Sequence, residues 1–457
     1  MLEPQSTFLF VLLVIAFGAL MWWMIRTRGV LQRVVAAGIA FLLAVQFGIM
    51  AVNRYFDYYQ TWGAAVADLT NSGPATGPTT VSDSNLFAGS WRKELAGHSI
   101  YTGLAMREGY TFHLAVAGPL SHITREVYVY LPPEYFQPAY LHYRFPVIEL
   151  IHGQPGEPQD WINVVGVTAT LANLVDKGLA KPAVLIMPDA NGGQRVSLQC
   201  LNQVGGPQDL TYLGIDLPDA MSHMLRVQPP GLGWGIAGYS EGGYCAANMA
   251  LQPELRRTYG FAASLSGYFL PFKNQMPDGQ TVDPFGGDKA LRRQNSPFYA
   301  IQQLKPGARL PQFWLGAGKG DKADVRAAEY FWQELQNYEA SVPVVLTPGQ
   351  HTMAVWRAQI PPMLEWMTNG LAHNVAKIAM DIRLAAKQAA RCAKPPAARP
   401  KTLASHARQQ AIAFRPRRPR PHPSSSATCQ PKPSAPAKNQ AKHKPKLPVP
   451  TKTQAPT

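Results

Sequence analysis

The chain has 457 residues, 46% of them hydrophobic, which is enough for one large domain with a sizeable core and additional segments. A net charge of +15 is typical of nucleic-acid-binding proteins, but here it is confined to one end. Residues 371–457 carry 18 of the 43 basic residues and one acidic residue, Asp381, whereas residues 1–370 carry 25 basic and 27 acidic residues. The body of the protein is therefore close to neutral.

Two apolar stretches open the chain. Thr7 to Ile25 contains no charge, and Val34 to Val52 is interrupted only by Gln46. Each is long enough to cross a hydrocarbon core as a helix. The first has no basic segment before it and no small-residue cleavage site after it, which argues against a cleaved signal peptide. We predict a transmembrane hairpin in residues 1–54, with helices at about 7–25 and 34–52.

The charges around these stretches predict their orientation. The segment 26–33 holds three arginines and no acid, while the N-terminus carries Glu3. By the positive-inside rule this loop is cytoplasmic, and Trp22 and Trp23 stand where an interfacial aromatic belt is expected. We therefore expect a cell-membrane protein with two spans whose body and C-terminal tail are extracytoplasmic.

Residues 55–105 form a linker and lead-in, and residues 106–370 form the body. Short, nearly continuous apolar runs alternate there with segments long enough for helices, such as Asp324–Tyr338. This pattern predicts an α/β fold with a mostly parallel sheet covered on both faces, and an active site at the carboxyl ends of its strands. The runs are Val127–Leu131, Val147–Ile151, Ala183–Met187, Trp234–Gly238, Phe261–Leu265, Phe313–Gly316 and Val344–Leu346.

The hexapeptide Gly238-Tyr239-Ser240-Glu241-Gly242-Gly243 lies between an apolar run and a helix-compatible segment. A Gly-x-Ser-x-Gly turn between strand and helix presents the serine at a strained position, and the glycines avoid collisions with neighbouring backbone. Ser240 is the predicted nucleophile. The amide of Glu241, at a helix N-terminus, is a predicted oxyanion-hole donor.

Two later turns supply an acid and a base. Asp321 ends a glycine-rich turn after a predicted strand and is the expected acid; Asp324, one turn further on, is the rival, because a strand-end aspartate is often a helix cap. His351 follows the last predicted strand and is the expected general base. The order Ser240, Asp321, His351 is that of α/β-hydrolase triads.

The second oxyanion donor and the pocket come from other loops. Val147–Ile151 runs into His152-Gly153-Gln154, where Gly153 allows close approach and the Gln154 amide is the predicted second oxyanion-hole donor. His152 is interpreted as structural. Trp161 and Tyr268 either line the substrate pocket or belong to the core.

Four cysteines have neither zinc-ligand spacing nor a disulfide pattern. A bridge between Cys200 and Cys245 is permitted by an oxidising exterior, but their spacing does not establish it.

Taken together, the motifs resemble the esterase D-like family of α/β-hydrolases, which includes S-formylglutathione hydrolases, feruloyl esterases and antigen 85-type mycolyltransferases. The resemblance covers roughly residues 110–370, and the membrane hairpin ahead of it is similar to a variant among actinobacterial envelope proteins. It implies hydrolysis of carboxylic esters, or acyl transfer, through an acyl-serine intermediate, with no metal and no organic cofactor. Mycolyltransferases have an aspartate at the position of His152, which weakens the case for trehalose or mycolate specificity here. The motifs are Val127–Pro133, His152-Gly153, Gly238–Gly243, Gly318–Asp321 and His351–Trp356.

The sequence thus predicts a membrane-anchored serine esterase acting on a lipid or glycan ester. The alternatives are an acyltransferase onto an envelope sugar or lipid, and a non-catalytic envelope-binding module. The tail, 371–457, begins with a helix-compatible stretch, Leu371 to Ala390, and then becomes rich in proline and lysine, so we expect it to be largely disordered. It is either a solvated spacer or a contact to anionic envelope polymers. With the tail outside, nucleic acid is not an expected partner.

Overall fold

The structure, a computed structural model, describes residues 3–70, 105–193, 196–276, 278–305, 308–338 and 341–392. The predictions for the linker between residues 71 and 104 and for the tail beyond residue 392 lie outside the described residues. The chain divides into two compact units, Met1–Ala379 and Met380–Thr457, and the features described below belong to the first, except for the last turns of the final helix.

The chain begins with two long apolar helices, α1 (Thr7–Arg26) and α2 (Val30–Phe56), followed by the short helix α3 (Trp62–Leu69). Both long helices have the length and hydropathy needed to cross a membrane, and most of their apolar side chains are exposed. They pack side by side, with the rings of Phe10 and Phe47 5.5 Å apart. The turn between them is shorter than predicted, because α2 already begins at Val30 rather than at Val34.

An eight-stranded sheet forms the centre of the body, in the order β1-β2-β4-β3-β5-β6-β9-β10. β1 and β2 pair antiparallel, as do β2 and β4, and every other neighbouring pair is parallel. The predicted mostly parallel sheet is therefore confirmed. Its strands and a separate hairpin of β7 and β8 are β1 (Tyr110–Ala117), β2 (Thr124–Leu131), β3 (Val147–Ile151), β4 (Val184–Pro188), β5 (Gly231–Tyr239), β6 (Tyr259–Leu265), β7 (Asn274–Gln275), β8 (Thr281–Val282), β9 (Gln312–Gly318) and β10 (Val344–Thr347).

Helices cover both faces of this sheet. A π-helical turn, Tyr212–Asp216, joins α6 to α7, and two 3₁₀ turns, Pro133–Phe136 and Pro138–Tyr140, follow β2. The predicted helix at residues 371–390 is the later part of one continuous helix, α12. The helices are α4 (Asp160–Asn163), α5 (Val167–Asp176), α6 (Asp209–Thr211), α7 (Leu217–Met224), α8 (Glu241–Leu251), α9 (Lys289–Gln294), α10 (Pro297–Gln302), α11 (Lys322–Gln336) and α12 (Met353–Cys392).

The core consists of two apolar layers, one on each face of the sheet. Alternate residues of β2 belong to different layers: Val127 and Val129 lie in one, Tyr128 and Tyr130 in the other. This follows from the period of two in a strand, which sends successive side chains to opposite faces. Since both faces of the sheet are covered, most of its strands contain nearly continuous apolar runs, as the sequence indicated.

Candidate active site

Ser240 occupies a sharp turn between β5 and α8. Its backbone has φ 55° and ψ −119°, a conformation that L-residues rarely adopt. A Cβ at Gly238 would lie 2.2 Å from the backbone of Gly242, and one at Gly242 would lie 2.0 Å from the carbonyl oxygen of Ile151. The flanking glycines are therefore required by the close approach of backbone, as the hexapeptide predicted.

Hydrogen bonds join three side chains from three different turns. His351, in the turn between β10 and α12, has its Nε2 2.9 Å from Ser240 Oγ. Its Nδ1 lies 2.7 Å from Oδ2 of Asp324, in the first turn of α11. The Trp356 ring packs edge-on against the imidazole, with the centroids 5.0 Å apart. The structure thus brings serine, histidine and one aspartate into a single chain of two hydrogen bonds.

Asp321 does not make the expected hydrogen bond to His351. Its Oδ2 is 3.6 Å from His351 Nδ1, and its Oδ1 accepts hydrogen bonds from the amides of Ala323 and Asp324 at 3.0 and 3.1 Å. Asp321 is the N-cap of α11, which is a common use of a strand-end aspartate. The rival residue, Asp324, makes the short contact with the histidine. It can do so because α11 begins at Lys322, which places Asp324 in the first helical turn, beside the imidazole.

Gln154 and Glu241, whose amides are the predicted oxyanion-hole donors, both lie near Ser240. Glu241 is the first residue of α8, so its amide has no acceptor within the helix. Gly153 passes close to the elbow: a Cβ there would lie 2.9 Å from the Tyr239 ring and 3.2 Å from Ser240 Cβ. The next residue, Gln154, is held by its side chain, whose Oε1 accepts a hydrogen bond from Asn191 Nδ2 at 2.8 Å.

His152 is buried and fixes the backbone of this loop. Its Nδ1 lies 2.8 Å from the carbonyl oxygen of Gly153, and its Nε2 accepts a hydrogen bond from the Ala190 amide at 3.0 Å. Nδ1 is then the protonated nitrogen. Both ring nitrogens are used in binding backbone, which fits the structural role predicted from the sequence.

The start of α8 is anchored by a buried carboxylate and a disulfide. The Glu241 side chain accepts hydrogen bonds from Ser197 Oγ and from the Gln199 amide, and burial raises the pKa of its carboxyl group. Cys200 and Cys245 form a disulfide with their Cα atoms 5.6 Å apart. The spacing of the cysteines had left this pairing open. Together these contacts tie the loop after β4 to the helix that follows the nucleophile.

A cavity of about 460 Å³ lies beside Ser240 and His351. Trp161 and Tyr268 do not line it. Trp161 is fully buried and packs edge-on against Tyr239, and Tyr268 stacks on Tyr244 with the centroids 4.7 Å apart. Core packing, the alternative that the sequence left open, is the arrangement found for Trp161. Tyr268 is partly buried and packs against the apolar layer on the other face of the sheet.

The wall of the cavity includes the C-terminal end of α2, which the sequence did not indicate. The density of aromatic residues at Tyr55-Phe56-Asp57-Tyr58-Tyr59 is the signal that could have marked this segment as a contact surface rather than a linker. The residues that line the cavity are Ile49, Val52, Asn53, Phe56, Tyr58, Tyr59, Gly153, Gln154, Pro155, Tyr239, Ser240, His351, Thr352, Met353 and Trp356.

Asp321, Asp324 and His351 also bring three potential metal-ligand atoms within 4.8 Å of one another. However, Nδ1 of the histidine faces Asp324 and its Nε2 faces Ser240, so each ring nitrogen already has a hydrogen-bond partner. This arrangement fits proton transfer between serine and histidine better than it fits a metal-binding site.

Comparison with known proteins agrees with this geometry. A family model described as "Putative esterase" matches residues 122–367, more than half of the chain. The chain belongs to this esterase family. The predicted resemblance to esterases is thereby confirmed, and the match contains the elbow, both aspartates and the histidine.

Similar proteins are found among curated sequences and solved structures. The esterase is 28% identical over 249 residues to an uncharacterized protein of Corynebacterium glutamicum, across 53% of this chain and 57% of that protein, so it spans little more than half of that relative's length. A ferulic acid esterase superposes with a TM-score of 0.49 at 17% identity, covering 58% of this chain and 98% of the other. An S-formylglutathione hydrolase from Agrobacterium tumefaciens superposes with a TM-score of 0.47 at 16% identity, covering 58% and 96%.

Proposed function

We propose that this esterase is a serine hydrolase that cleaves carboxylic esters through an acyl-serine intermediate. Ser240 is the nucleophile, His351 the general base and Asp324 the acid that orients the histidine. The observation that carries the proposal is the continuous pair of hydrogen bonds from Ser240 Oγ through the imidazole to Asp324, at 2.9 and 2.7 Å.

The reaction has two steps. As Ser240 Oγ forms a bond to the carbonyl carbon, its proton moves to His351 Nε2, and the amides of Gln154 and Glu241 stabilise the oxyanion. The carbon–oxygen bond to the alcohol then breaks, and the histidine returns the proton to the leaving alcohol. In the second step water attacks the acyl-serine, again with His351 as base, which releases the acid and restores the serine.

We further propose that α1 and α2 anchor the protein in the cell membrane with the esterase domain, residues 106–370, outside. Their apolar side chains remain exposed in the described structure, unlike those of a core helix, and an exposed apolar surface of this size favours lipid as its solvent. The three arginines in the segment 26–33, where α1 ends and α2 begins, favour a cytoplasmic position for that end of the hairpin. The Cys200–Cys245 disulfide fits an oxidising exterior.

A fluorophosphonate probe tests the nucleophile and base together. We expect the probe to label the peptide that contains Ser240, and we expect labelling to be lost in Ser240→Ala and strongly reduced in His351→Ala. Ser266→Ala is the matched control, since Ser266 also has a positive φ, 52°, and is buried, but lies outside the elbow. An unlabelled wild-type protein that is inert toward p-nitrophenyl butyrate would favour the non-catalytic envelope-binding module instead.

Acyl transfer uses the same acyl-serine and differs only in the acceptor. Mass spectrometry of the products separates the two reactions: hydrolysis releases the free acid, whereas transfer yields a new ester when a sugar or lipid alcohol is present. We propose hydrolysis, and a new ester formed in preference to free acid would replace it with transfer.

A further inference from the structure

The cavity beside Ser240 is completed by a helix that the proposed function places in the membrane. Ile49, Val52, Asn53 and Phe56 lie on α2 and line the cavity together with residues of the esterase domain. Ile49 and Val52 remain largely exposed, so this side of the cavity is open along the helix. A substrate can therefore reach the serine along the surface of α2.

The depth of these residues follows from helix geometry. α1 has 20 residues and is about 30 Å long, the thickness of a hydrocarbon core. Arg54 Nη1 donates a hydrogen bond to Thr7 Oγ1 at 3.1 Å, so the start of α1 and the end of α2 lie at the same level. From this level, Ile49 lies about 7 Å and Val52 about 3 Å toward the hydrocarbon. The cavity thus crosses the outer boundary of the membrane.

The end of α2 is held against the esterase domain by a salt bridge and hydrogen bonds of one arginine. Arg357, in α12, forms a salt bridge with Asp57 and donates hydrogen bonds to the carbonyl oxygens of Tyr58 and Val164 at 3.3 and 3.0 Å. Both charged side chains are mostly shielded from solvent. The contribution of α2 to the cavity is therefore fixed by contacts outside the cavity.

The chemistry of the lining indicates the substrate class. Apart from the catalytic histidine, none of the side chains that line this cavity carries a charge. Its volume, about 460 Å³, lies within the range of small-molecule sites. An apolar cavity without a cationic or anionic partner fits an alkyl chain, whereas it offers nothing to a charged, water-soluble ester.

We propose that the cavity receives the acyl chain of a lipid ester that enters from the outer leaflet of the membrane along α2, which places the ester carbonyl at Ser240. This inference rests on the proposed function, because it requires the acyl-serine chemistry and the membrane position of α2. Ile49, Val52 and Phe56 are the residues that select a long acyl chain. The acyl group is transferred to Ser240 and released by water as a fatty acid, with the lipid alcohol as leaving group.

The full-length protein in phosphatidylcholine vesicles provides the test. Val52→Trp fills the cavity, and we expect it to lower the ratio of p-nitrophenyl palmitate to p-nitrophenyl butyrate hydrolysis by about tenfold or more, a loss typical for disrupted apolar pocket contacts. Val34→Trp is the matched control: it lies on the same helix, 18 residues or five turns away, with 63% exposure compared with 59% for Val52. This control should leave the ratio unchanged.

A direct measurement of chain position keeps the test independent of how well the variant folds. A long-chain alkyl fluorophosphonate with a terminal diazirine is attached to Ser240 of the wild-type protein in vesicles and irradiated. We expect the chain to crosslink to the peptide that contains Ile49 to Phe56.

The outcomes distinguish the acyl-chain site from the proposed esterase chemistry. A crosslink confined to another part of the domain, or an unchanged substrate ratio in Val52→Trp, overturns the acyl-chain site while leaving the esterase intact. Butyrate hydrolysis that persists in Ser240→Ala overturns the proposed function itself.

Discussion

At the scale of single residues, Asp321 and Asp324, the two candidates for the acid, make different contacts. Asp321 caps α11 and accepts a hydrogen bond from the amide of Asp324, while Asp324 contacts His351. We therefore expect Asp321 to act as a positioning residue. Its hydrogen bonds fix the first turn of α11, and that turn holds Asp324 beside the imidazole of His351.

Replacing each aspartate by asparagine, which converts its carboxylate to a carboxamide of the same shape, distinguishes the helix-capping role from the role of orienting the histidine. We expect Asp324→Asn to lower kcat/KM by about three to four orders of magnitude, because the amide favours the wrong histidine tautomer. Asp321→Asn should lower it by about tenfold at most, since asparagine caps helices as well as aspartate does. Steady-state hydrolysis of p-nitrophenyl butyrate measures both. A larger loss in Asp321→Asn would return the acid role to the residue predicted first.

The sequence predicted those residues of the candidate site whose positions depend on where a strand ends. Ser240 follows β5 directly and His351 follows β10 after a short turn, so their positions depend mainly on locating the strands. The choice between Asp321 and Asp324 depends on the residue at which α11 begins, and boundaries of helices are the least certain feature of a sequence-based prediction.

At the scale of elements, the disulfide connects the loop after β4 to α8. It closes a loop of 45 residues, which in a chain-entropy treatment contributes up to about 4 kcal/mol to the free energy of unfolding. The same loop supplies the Ser197 and Gln199 contacts to Glu241, next to the nucleophile.

Removal of the bridge tests this connection. The double variant Cys200→Ala, Cys245→Ala should lose on the order of 2–4 kcal/mol in the free energy of unfolding. A reductant should destabilise the wild type in chemical denaturation and have no further effect on the double variant, which serves as the control. If the wild type were insensitive to reductant, the two thiols would be free in the protein.

The seven apolar runs identified in the sequence all correspond to strands of the sheet, whose two faces are covered by helices. β1 was missed, since it lies at the edge of the sheet and mixes exposed and buried positions. The contact between α2 and the esterase domain was also missed. It depends on tertiary packing of residues far apart in the chain, Asp57 and Arg357, which no local pattern records.

At the scale of the whole molecule, one buried carboxyl group links stability to pH. Glu149, in the central strand β3, is fully buried and accepts a hydrogen bond from the Tyr259 hydroxyl at 2.8 Å. Burial raises the pKa of Glu149 from its usual 4.5 to about 8. In the unfolded chain the group ionises at its usual pKa, so its contribution to folding is complete at acid pH and declines as the pH rises toward 8.

Glu149→Gln removes the titration while retaining an oxygen acceptor for Tyr259. We expect the stability of the variant relative to the wild type to increase by on the order of 1 kcal/mol per pH unit between about pH 5 and pH 8. Denaturant unfolding at several pH values measures this difference. A relative stability that does not change with pH would mean that Glu149 ionises normally in the folded protein.

The end of α2 has a practical consequence for any shortened, water-soluble version of the protein. A fragment that starts after Phe56 would retain Ser240, His351 and Asp324 but lack Ile49, Val52 and Phe56 from the cavity wall. Its cavity would lack one wall, and its preference among esters would be that of this more open site. Substrate screens on such a fragment would measure the preference of an incomplete cavity, so the helices belong in every assay.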